Sequence, residues 1–334
     1  MNNSTETRLN VPPVHLFSDY IEIVYLLSVL IIGIPINVYI LIKLFRDRRQ
    51  SPDHFIKANF LLLNINLNVT DLLILLIVAF GKLCWIITYS WCGGEFLCKM
   101  FNFLYAFALY ISSNIVVCIA LDRLRNVIAI SRIRSGKRIR TVKWSIITSW
   151  ILAVVWSLPQ LLVWKTINVY PDYPGGWIQC SDIWSIERYK NSVQHGETTQ
   201  KLYNISHLVL AFWGPLVVMM ISYIFIAVRL LQYSITSPCK KVNVVLYSNV
   251  PLVLGTVKRP KVPVWRRQLR SRVFRTTLLV VITHITFWFP YNLYSILRYI
   301  DVQLYEQISD HANIFKDLQI VIAVVNPFLY GFSN

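Results

Sequence analysis

Long apolar stretches separated by short polar and basic segments dominate the pattern along this chain of 334 residues. About 20 consecutive apolar residues in an α-helix are enough to cross the hydrocarbon core of a bilayer. Seven stretches reach this length, and no internal repeat relates them. The pattern therefore predicts an all-α membrane protein, a seven-transmembrane helix bundle, with spans near residues 21–45, 57–84, 98–122, 143–165, 203–233, 272–299 and 312–332.

Basic residues concentrate in alternate connecting segments. Segments 43–57, 123–143 and 229–275 hold 24 of the 33 Lys and Arg residues, and the formal net charge is +17. Loops rich in Lys and Arg stay on the cytoplasmic side. We therefore expect a multi-pass protein of the plasma membrane with its N-terminus outside. The charge is explained by this orientation and by attraction to anionic membrane lipid, so no nucleic acid partner is expected.

The first 20 residues are polar and lack the apolar core of a cleaved signal peptide, so the first span is expected to act as its own signal. Two overlapping sequons predict glycosylation at Asn2 and Asn3. The expected organisation is a glycosylated extracellular tail over residues 1–20 and one transmembrane domain over 21–334. Its third inner loop, at about 234–271, is long and basic.

Asp71 lies in the middle of the second span, within "NLNVTDLLILL". An ionisable group at that depth costs at least about 2.5 kcal/mol, which makes it a candidate functional residue. Ser112 of the third span and Asn326 of the seventh could face it. Together they predict a small polar cavity for Na⁺, a proton or water; a hydrogen-bond network that only holds three helices together is the alternative, and the two are compatible.

Prolines interrupt five of the spans and can kink their helices, because each removes one backbone hydrogen bond. Trp288 lies two residues before Pro290 in "FWFPYN", and Tyr330 lies three residues after Pro327 in "NPFLY". A large aromatic side chain beside a kink can change rotamer as the helix bends. The alternative is that these aromatic residues only pack the core and that proline is simply common in membrane helices. The five prolines are Pro35, Pro159, Pro215, Pro290 and Pro327.

The stretch "IVVCIALDRLRNVIAI" places Asp122 and Arg123 at the end of the third span. Cys98 and Arg123 are 25 residues apart, about 37 Å of helix, which puts them on opposite sides of the membrane. The order and spacing of the motifs resemble rhodopsin-like (class A) G-protein-coupled receptors over nearly the whole chain. The motifs are Asn37, "NLNVTD", Cys98, Asp122-Arg123, Trp150, Pro159, Cys180, Pro215, Tyr223, "FWFP" and "NPFLY".

Four longer segments are similar to the gonadotropin-releasing-hormone and adipokinetic-hormone receptor group, relatives of the vasopressin and oxytocin receptors. They read "CWIITYSWCGGEFLCK", "SWILAVVWSLPQLLVW", "WIQC" and "NPFLYGF". The resemblance implies a peptide-hormone or neuropeptide ligand and a heterotrimeric G protein as partners. The implied activation switch comprises Asp122, Arg123, Tyr223, Trp288, Pro290, Asn326, Pro327 and Tyr330. The implied ligand contacts are Lys82, Trp85, Tyr105, Trp177, Tyr291, Asn292 and Arg298.

A disulfide between Cys98 and Cys180 is expected to tie the second outer loop to the third helix. Cys92 would then remain an exposed odd thiol, and free thiols at all three positions are the alternative. No cofactor is expected apart from an allosteric Na⁺ at Asp71. No HExxH or GxSxG motif is present, so the chain is not expected to be an enzyme.

Several positions depart from the family's pattern. Leu124 stands where the family usually has Tyr, and Tyr105 stands where the subgroup has a basic residue. Lys82 stands where an acidic residue is common, and His284 stands where an aromatic residue is usual. The changes leave open a small acidic or amphipathic ligand, such as a pheromone, pairing with Lys82 or Arg298, and a heteromer subunit that signals without ligand. The inner end of the sixth span, "RRQLRSRVFRTT", carries no acid to hold Arg123, so basal activity is expected. A transporter would show inverted repeats, and none is found.

Overall fold

The computed structural model describes residues 12–50, 55–128, 135–171, 176–190, 197–235, 272–309 and 313–331. The predicted glycosylation sites Asn2 and Asn3, and nearly all of the basic loop at 234–271, lie outside these residues. The all-α bundle is confirmed, and each predicted span overlaps a helix; the predicted span 143–165 also includes the turn after Ser157, the short helix Gln160–Val163 and the start of the strand Trp164–Asn168. The first helix begins at Phe17, four residues before the predicted start of the first span at residue 21.

The seven long helices are named here the first to the seventh, in chain order. The first is Phe17–Gln50, and the second is Phe55–Leu73 continued by a π-helical segment, Ile74–Ala79, and by Phe80–Thr88. The third is Gly94–Ile128, and the fourth is Ser135–Ser157, followed by the short helix Gln160–Val163. The fifth is Glu197–Leu208, π-helical Val209–Trp213 and Gly214–Ile235; the sixth is Arg272–Ile300 and the seventh Asn313–Gly331.

Five of these helices, the first to the fifth, are long and apolar enough to cross a membrane by length and composition alone. The sixth helix has 29 residues, but His284, Pro290 and Asn292 lower its hydropathy. In the seventh helix, among the residues whose side chains are described, the apolar part is Asp317–Tyr330.

The third helix lies at the centre of the bundle. Of its most apolar stretch 72% is buried, against 33–39% for the other four apolar helices. It packs against the second, fourth, fifth and sixth helices, while the seventh packs against the first, second and sixth. The outward faces of the surrounding helices are apolar and exposed, as expected for surfaces that contact lipid.

Proline removes the N–H that would bond the carbonyl four residues earlier, and a bilayer offers no water to replace it. In the seventh helix Pro327 leaves the Ala323 carbonyl without its helical donor, and the Asn37 side-chain amide donates to that carbonyl at 2.8 Å. In the fifth helix Pro215 does the same to Ala211, whose carbonyl accepts from the Ser113 hydroxyl at 2.6 Å. Two interhelical contacts thus replace backbone hydrogen bonds that proline deletes.

We call the end of the bundle that carries Cys98 the outer end and the end that carries Arg123 the inner end. A two-stranded antiparallel hairpin, β1 (Trp164–Asn168) and β2 (Ile178–Asp182), lies at the outer end. Cys180 in β2 forms the expected disulfide with Cys98, with a Cα–Cα distance of 5.7 Å. Cys92 is an exposed free thiol, as predicted, and Cys118 is buried. Two short helices, Ile183–Tyr189 and Val302–Ser309, complete this end.

Candidate functional site

A cavity of about 530 Å³ opens at the outer end, between the second, third, fifth and sixth helices, the short helix Gln160–Val163 and β1. This volume is within the range of about 300–1,000 Å³ usual for small-molecule sites. Five of the seven predicted ligand contacts lie on its wall: Lys82, Trp85, Tyr105, Tyr291 and Arg298. Other side chains complete the wall, including Phe101, Asn102, Gln160, Trp164, Tyr203, Asn204, His207, Tyr294, Ser295, Tyr299 and Tyr305.

The other two predicted contacts lie elsewhere. Trp177 lines a neighbouring cavity of about 270 Å³, which shares Lys82 and Trp85 with the main one, and its indole N–H donates to the Tyr89 carbonyl at 2.9 Å. Asn292 does not line either outer cavity in this conformation. Its side chain is fully buried, and its amide donates to the Trp288 carbonyl at 2.9 Å. A one-residue step turns a helix by about 100°, so only Tyr291 of this pair faces the cavity.

Lys82 lies on the cavity wall, but its ammonium group is not available to an acidic ligand in this conformation. Asp317 of the seventh helix and Glu22 of the first each place a carboxylate oxygen 2.5 Å from Nζ. The Asp317 contact has hydrogen-bond geometry, whereas the Glu22 contact is an ion pair without a directed hydrogen bond. The sequence did not predict these two partners, which neutralise the Lys82 cation within the chain.

Arg298 is the other cation on the wall. Its guanidinium lies 5.9 Å from the ring centroid of Tyr305, in a cation–π arrangement. Among the described residues, no carboxylate lies within ion-pair distance of it. Arg298 can therefore bind a carboxylate or another acceptor group of a ligand.

A hydrogen-bond network that the sequence analysis did not single out fixes the polar wall near the hairpin. The Gln160 side-chain oxygen accepts from the Tyr203 hydroxyl at 2.5 Å and from the Trp164 indole at 2.8 Å. With its oxygen bonded twice, Gln160 presents the amide NH₂ as its remaining polar group. His207 contacts the buried Tyr110 hydroxyl at 2.7 Å. A polar side chain near the outer end of a span was the available signal for Gln160 and His207.

Trp288 lies fully buried in the sixth helix. Its ring stacks parallel to Phe212 with centroids 6.4 Å apart and lies 5.5 Å from the His284 ring. His284 Nε2 is 3.5 Å from the Ser113 hydroxyl, at the long limit of a hydrogen bond. This contact fits a hydrogen-bonded core histidine. Aromatic rings from the fifth and sixth helices therefore pack against one another in the middle of the bundle. They lie close to Pro215 and Pro290, where a backbone hydrogen bond is missing.

Asp71 is fully buried and joins the second helix to the seventh. Its two oxygens accept from the Asn326 amide at 2.9 Å and from the Tyr330 hydroxyl at 3.0 Å. Asn68 donates to Tyr330 at 2.9 Å and to Asn37 at 2.8 Å, which extends the network to the first helix. The Ser112 hydroxyl and the Asn326 side-chain oxygen are buried without a hydrogen-bond partner among the described residues. The Asn326 side chain that bonds Asp71 carries one of these spare oxygen acceptors, and oxygen ligands suit a hard cation.

At the inner end, Arg123 and Asp122 form a buried ion pair with an N–O distance of 2.9 Å. Asn126 donates to the same Asp122 oxygen at 2.9 Å, and the guanidinium lies 5.8 Å from the Phe60 ring centroid. Tyr223 of the fifth helix is half-buried in the core cluster. Asp122 and Arg123 of the predicted activation switch thus form an ion pair here, and the guanidinium packs against an aromatic ring. We call this ion pair the latch.

Comparison with known proteins identifies a family and several relatives with similar sequences. The sequence model of one family, the 7 transmembrane receptor (rhodopsin family), matches residues 36–330. The chain is 31% identical to the G-protein coupled receptor daf-38 of Caenorhabditis elegans, over 96% of this chain and 90% of that relative. It is 25% identical to the gonadotropin-releasing hormone receptor of Sus scrofa, over 98% and 93%, and 24% identical to that of Octopus vulgaris, over 91% and 68%.

Proposed function

Because the chain belongs to the rhodopsin family of seven-transmembrane receptors, which confirms the resemblance of its motifs, we propose that it binds an extracellular ligand in the outer cavity and activates a heterotrimeric G protein. The observation that carries this proposal is the aromatic cavity of about 530 Å³ with the disulfide-tied hairpin beside it. The basic loops support an inner end in the cytoplasm and an extracellular N-terminus, at the plasma membrane.

The ligand we propose first is a peptide of the gonadotropin-releasing-hormone or adipokinetic type. Its support is the set of gonadotropin-releasing hormone receptors among the relatives. The cavity suits such a peptide, because the tyrosine rings on its wall can stack on side chains of the peptide. The tyrosine hydroxyls can form hydrogen bonds with the backbone of the peptide. The open mouth beside the hairpin leaves room for the rest of the peptide.

A small acidic or amphipathic molecule is the second candidate, and a specific observation favours it. Among the described residues, no Asp or Glu lines the cavity, while Arg298 faces it and the Gln160 amide is limited to donating. A ligand with a carboxylate and several oxygen acceptors would satisfy both groups. Lys82 is excluded from this role as long as Glu22 and Asp317 hold it.

Activation follows from a difference in ligand affinity between two states. A ligand shifts the equilibrium only as far as it binds the active state better than the inactive one. In the proposed sequence, ligand contacts on the outer half of the sixth helix bias a pivot at Pro290, beside the interlocked Trp288. The inner end of the sixth helix then moves, and Arg123 exchanges Asp122 for Tyr223 and the G protein.

We propose that Na⁺ modulates this equilibrium at Asp71. The Asp71 carboxylate, the Ser112 hydroxyl and the Asn326 side-chain oxygen are the residues that would hold it, and their oxygen chemistry suits a hard monovalent cation. Bound there, Na⁺ supplies a positive charge that stabilises the Asp71 carboxylate. Tyr330 and Asn326 already bond that carboxylate, so the seventh helix would respond to the cation.

A screen of cells expressing the chain, read by cAMP and Ca²⁺, tests the proposal. The library combines gonadotropin-releasing-hormone-type and adipokinetic-type peptides with amphipathic carboxylic acids. Any hit is repeated on Arg123→Ala, which should bind but not signal, and on Arg298→Gln. Lys99→Gln is the matched control for Arg298, since Lys99 is an outer cation paired with Glu95 at 2.6 Å and does not line the cavity.

The outcomes of the screen separate the candidates. A carboxylic acid whose affinity falls in Arg298→Gln and not in Lys99→Gln supports the acidic ligand. A peptide hit that is insensitive to Arg298→Gln supports the first candidate. Signalling that appears only after co-expression with a second receptor points to a heteromer. A ligand response in Arg123→Ala equal to that of the natural chain contradicts the assigned latch.

A further inference from the structure

Three charged side chains from three helices meet beside the ligand cavity. Glu22 comes from the first helix, Lys82 from the second and Asp317 from the seventh, and we call them the outer triad. Both carboxylates lie 2.5 Å from the same Lys82 Nζ. The Tyr25 hydroxyl donates to the Asp317 main-chain carbonyl at 2.8 Å, which also holds the first helix against the seventh. The outer triad is therefore anchored by packing and by backbone contacts.

The charges of the outer triad do not balance. Two carboxylates face one ammonium group, so the fully ionised triad carries one excess negative charge. Glu22 is 6% and Asp317 2% exposed. A buried charge without a partner costs several kcal/mol, so a neutral arrangement is favoured.

Nothing else among the described residues supplies the missing positive charge. The titratable groups that face the two carboxylates are Lys82 from the second helix, Tyr25 from the first and Tyr105 from the third, and both phenols are neutral. The Asp317 Oδ2 atom and the Gln319 side-chain oxygen, also on the seventh helix, are buried with no hydrogen-bond partner among the described residues. The region has more acceptors than donors.

We propose that the outer triad binds one proton from the extracellular side, at the Asp317 Oδ2 atom, unpartnered among the described residues. One proton makes the triad neutral and converts one unpartnered acceptor into a donor. A metal ion would need several oxygen ligands around it, and the Lys82 ammonium already occupies the position between the two carboxylates. The side chain of Lys82 is 22% exposed and lines both outer cavities, which gives protons a route from the medium.

The site has a consequence for ligand recognition, and this consequence, unlike the proton site itself, rests on the proposed function. A protonated carboxyl attracts an ammonium group less than a carboxylate does. Proton uptake therefore releases one of the two partners that hold Lys82. The ammonium can then turn toward the cavity, so an anionic ligand is expected to bind more tightly in acidic medium.

Infrared difference spectroscopy of the purified chain in lipid nanodiscs tests the proton site without ligand or G protein. Spectra in mildly acidic and mildly alkaline buffer should differ by a carboxylic-acid C=O band. The band is expected to vanish in Glu22→Gln or in Asp317→Asn, whose amides keep the size of the acids. It should persist in Glu95→Gln, an exposed outer carboxylate, and in Asp71→Asn, a buried acid outside the triad. In Lys82→Met, loss of the cation should move the midpoint to higher pH.

Three results would overturn the proposal: no titrating C=O band in the natural chain, a band that survives both triad substitutions, or a band that Na⁺ removes at constant pH, which would assign the site to a metal ion. The spectrum of the natural chain decides the first result alone, so poor folding of a variant does not leave the proposal untested. Because the measurement needs no signalling, its failure is distinct from failure of the proposed receptor function.

Discussion

Replacing Ser113 by alanine removes the hydroxyl that donates to the Ala211 carbonyl, 2.6 Å away on the fifth helix. Ala211 lies four residues before Pro215, so the N–H that would bond its carbonyl in a regular α-helix is missing. The substitution removes little volume at this fully buried position. It leaves the Ala211 carbonyl without this donor and also removes the long contact of 3.5 Å with His284 Nε2.

Two ranges of free-energy cost, one for unpaired buried acceptors and one for interhelical hydrogen bonds, give the expected loss of stability. An unpaired buried acceptor costs about 1–3 kcal/mol in proteins generally. Interhelical side-chain hydrogen bonds in membranes average only about 0.6 and reach about 1.7 kcal/mol, because the groups usually find other partners. The Ala211 carbonyl has lost its helical partner to proline, so we expect a value at the upper end, about 1–2 kcal/mol.

Reversible unfolding by SDS in lipid bicelles measures this difference. Ser222→Ala is the matched control, because Ser222 is equally buried in the fifth helix but bonds the Val218 carbonyl, which keeps its own helical N–H. Pro215→Ala restores the missing N–H, so Ser113→Ala should cost less in that background. The coupling between the two substitutions is expected to be about 1 kcal/mol.

Two results would refute this reasoning. If Ser113→Ala destabilises the chain no more than Ser222→Ala, the hydroxyl does not replace the lost backbone bond. If the effects of Ser113→Ala and Pro215→Ala simply add, the serine and the proline are not coupled through the Ala211 carbonyl.

Three further predictions concern the inner end, the cation site and the outer disulfide. Asp122→Asn removes the partner of Arg123 and should raise basal nucleotide exchange on the G protein about tenfold, which corresponds to about 1.4 kcal/mol; unchanged exchange would contradict the latch. In Asp71→Asn, replacing NaCl by choline chloride should no longer change agonist potency, whereas potency in the natural chain should shift. Cys180→Ser should lower stability by about 2–4 kcal/mol and reduce surface expression, whereas Cys92→Ser, which removes an exposed free thiol, should do neither.

The positions of the helices could be predicted from the sequence, because a run of about 20 apolar residues in a membrane has few alternatives to a helix. The sequence also placed Asp71 with Asn326, since polar groups inside spans must find one another. The disulfide from Cys98 to Cys180 came from the side of the membrane on which both cysteines lie and from the family pattern. These features depend on local composition or on fixed motif spacing.

The electrostatic environment of the cavity could not be predicted from the sequence. Lys82 looked like a free cation because its partners are far away along the chain, at Glu22 and Asp317. The second and fifth helices each contain a π-helical segment, and such a segment rotates all the side chains beyond it relative to a regular helix. Which residues face the cavity at their outer ends, such as Tyr203 and His207, therefore depends on packing.

The central claim is that a ligand in the outer cavity controls G-protein activation through Arg123. Its most direct test is nucleotide exchange on a purified heterotrimeric G protein by the chain in nanodiscs, with the ligand found in the screen. The account predicts that ligand accelerates exchange by the natural chain, that Arg123→Ala still binds the ligand but no longer accelerates exchange, and that Tyr105→Ala weakens ligand binding. Ligand-accelerated exchange by Arg123→Ala equal to that of the natural chain would contradict the account.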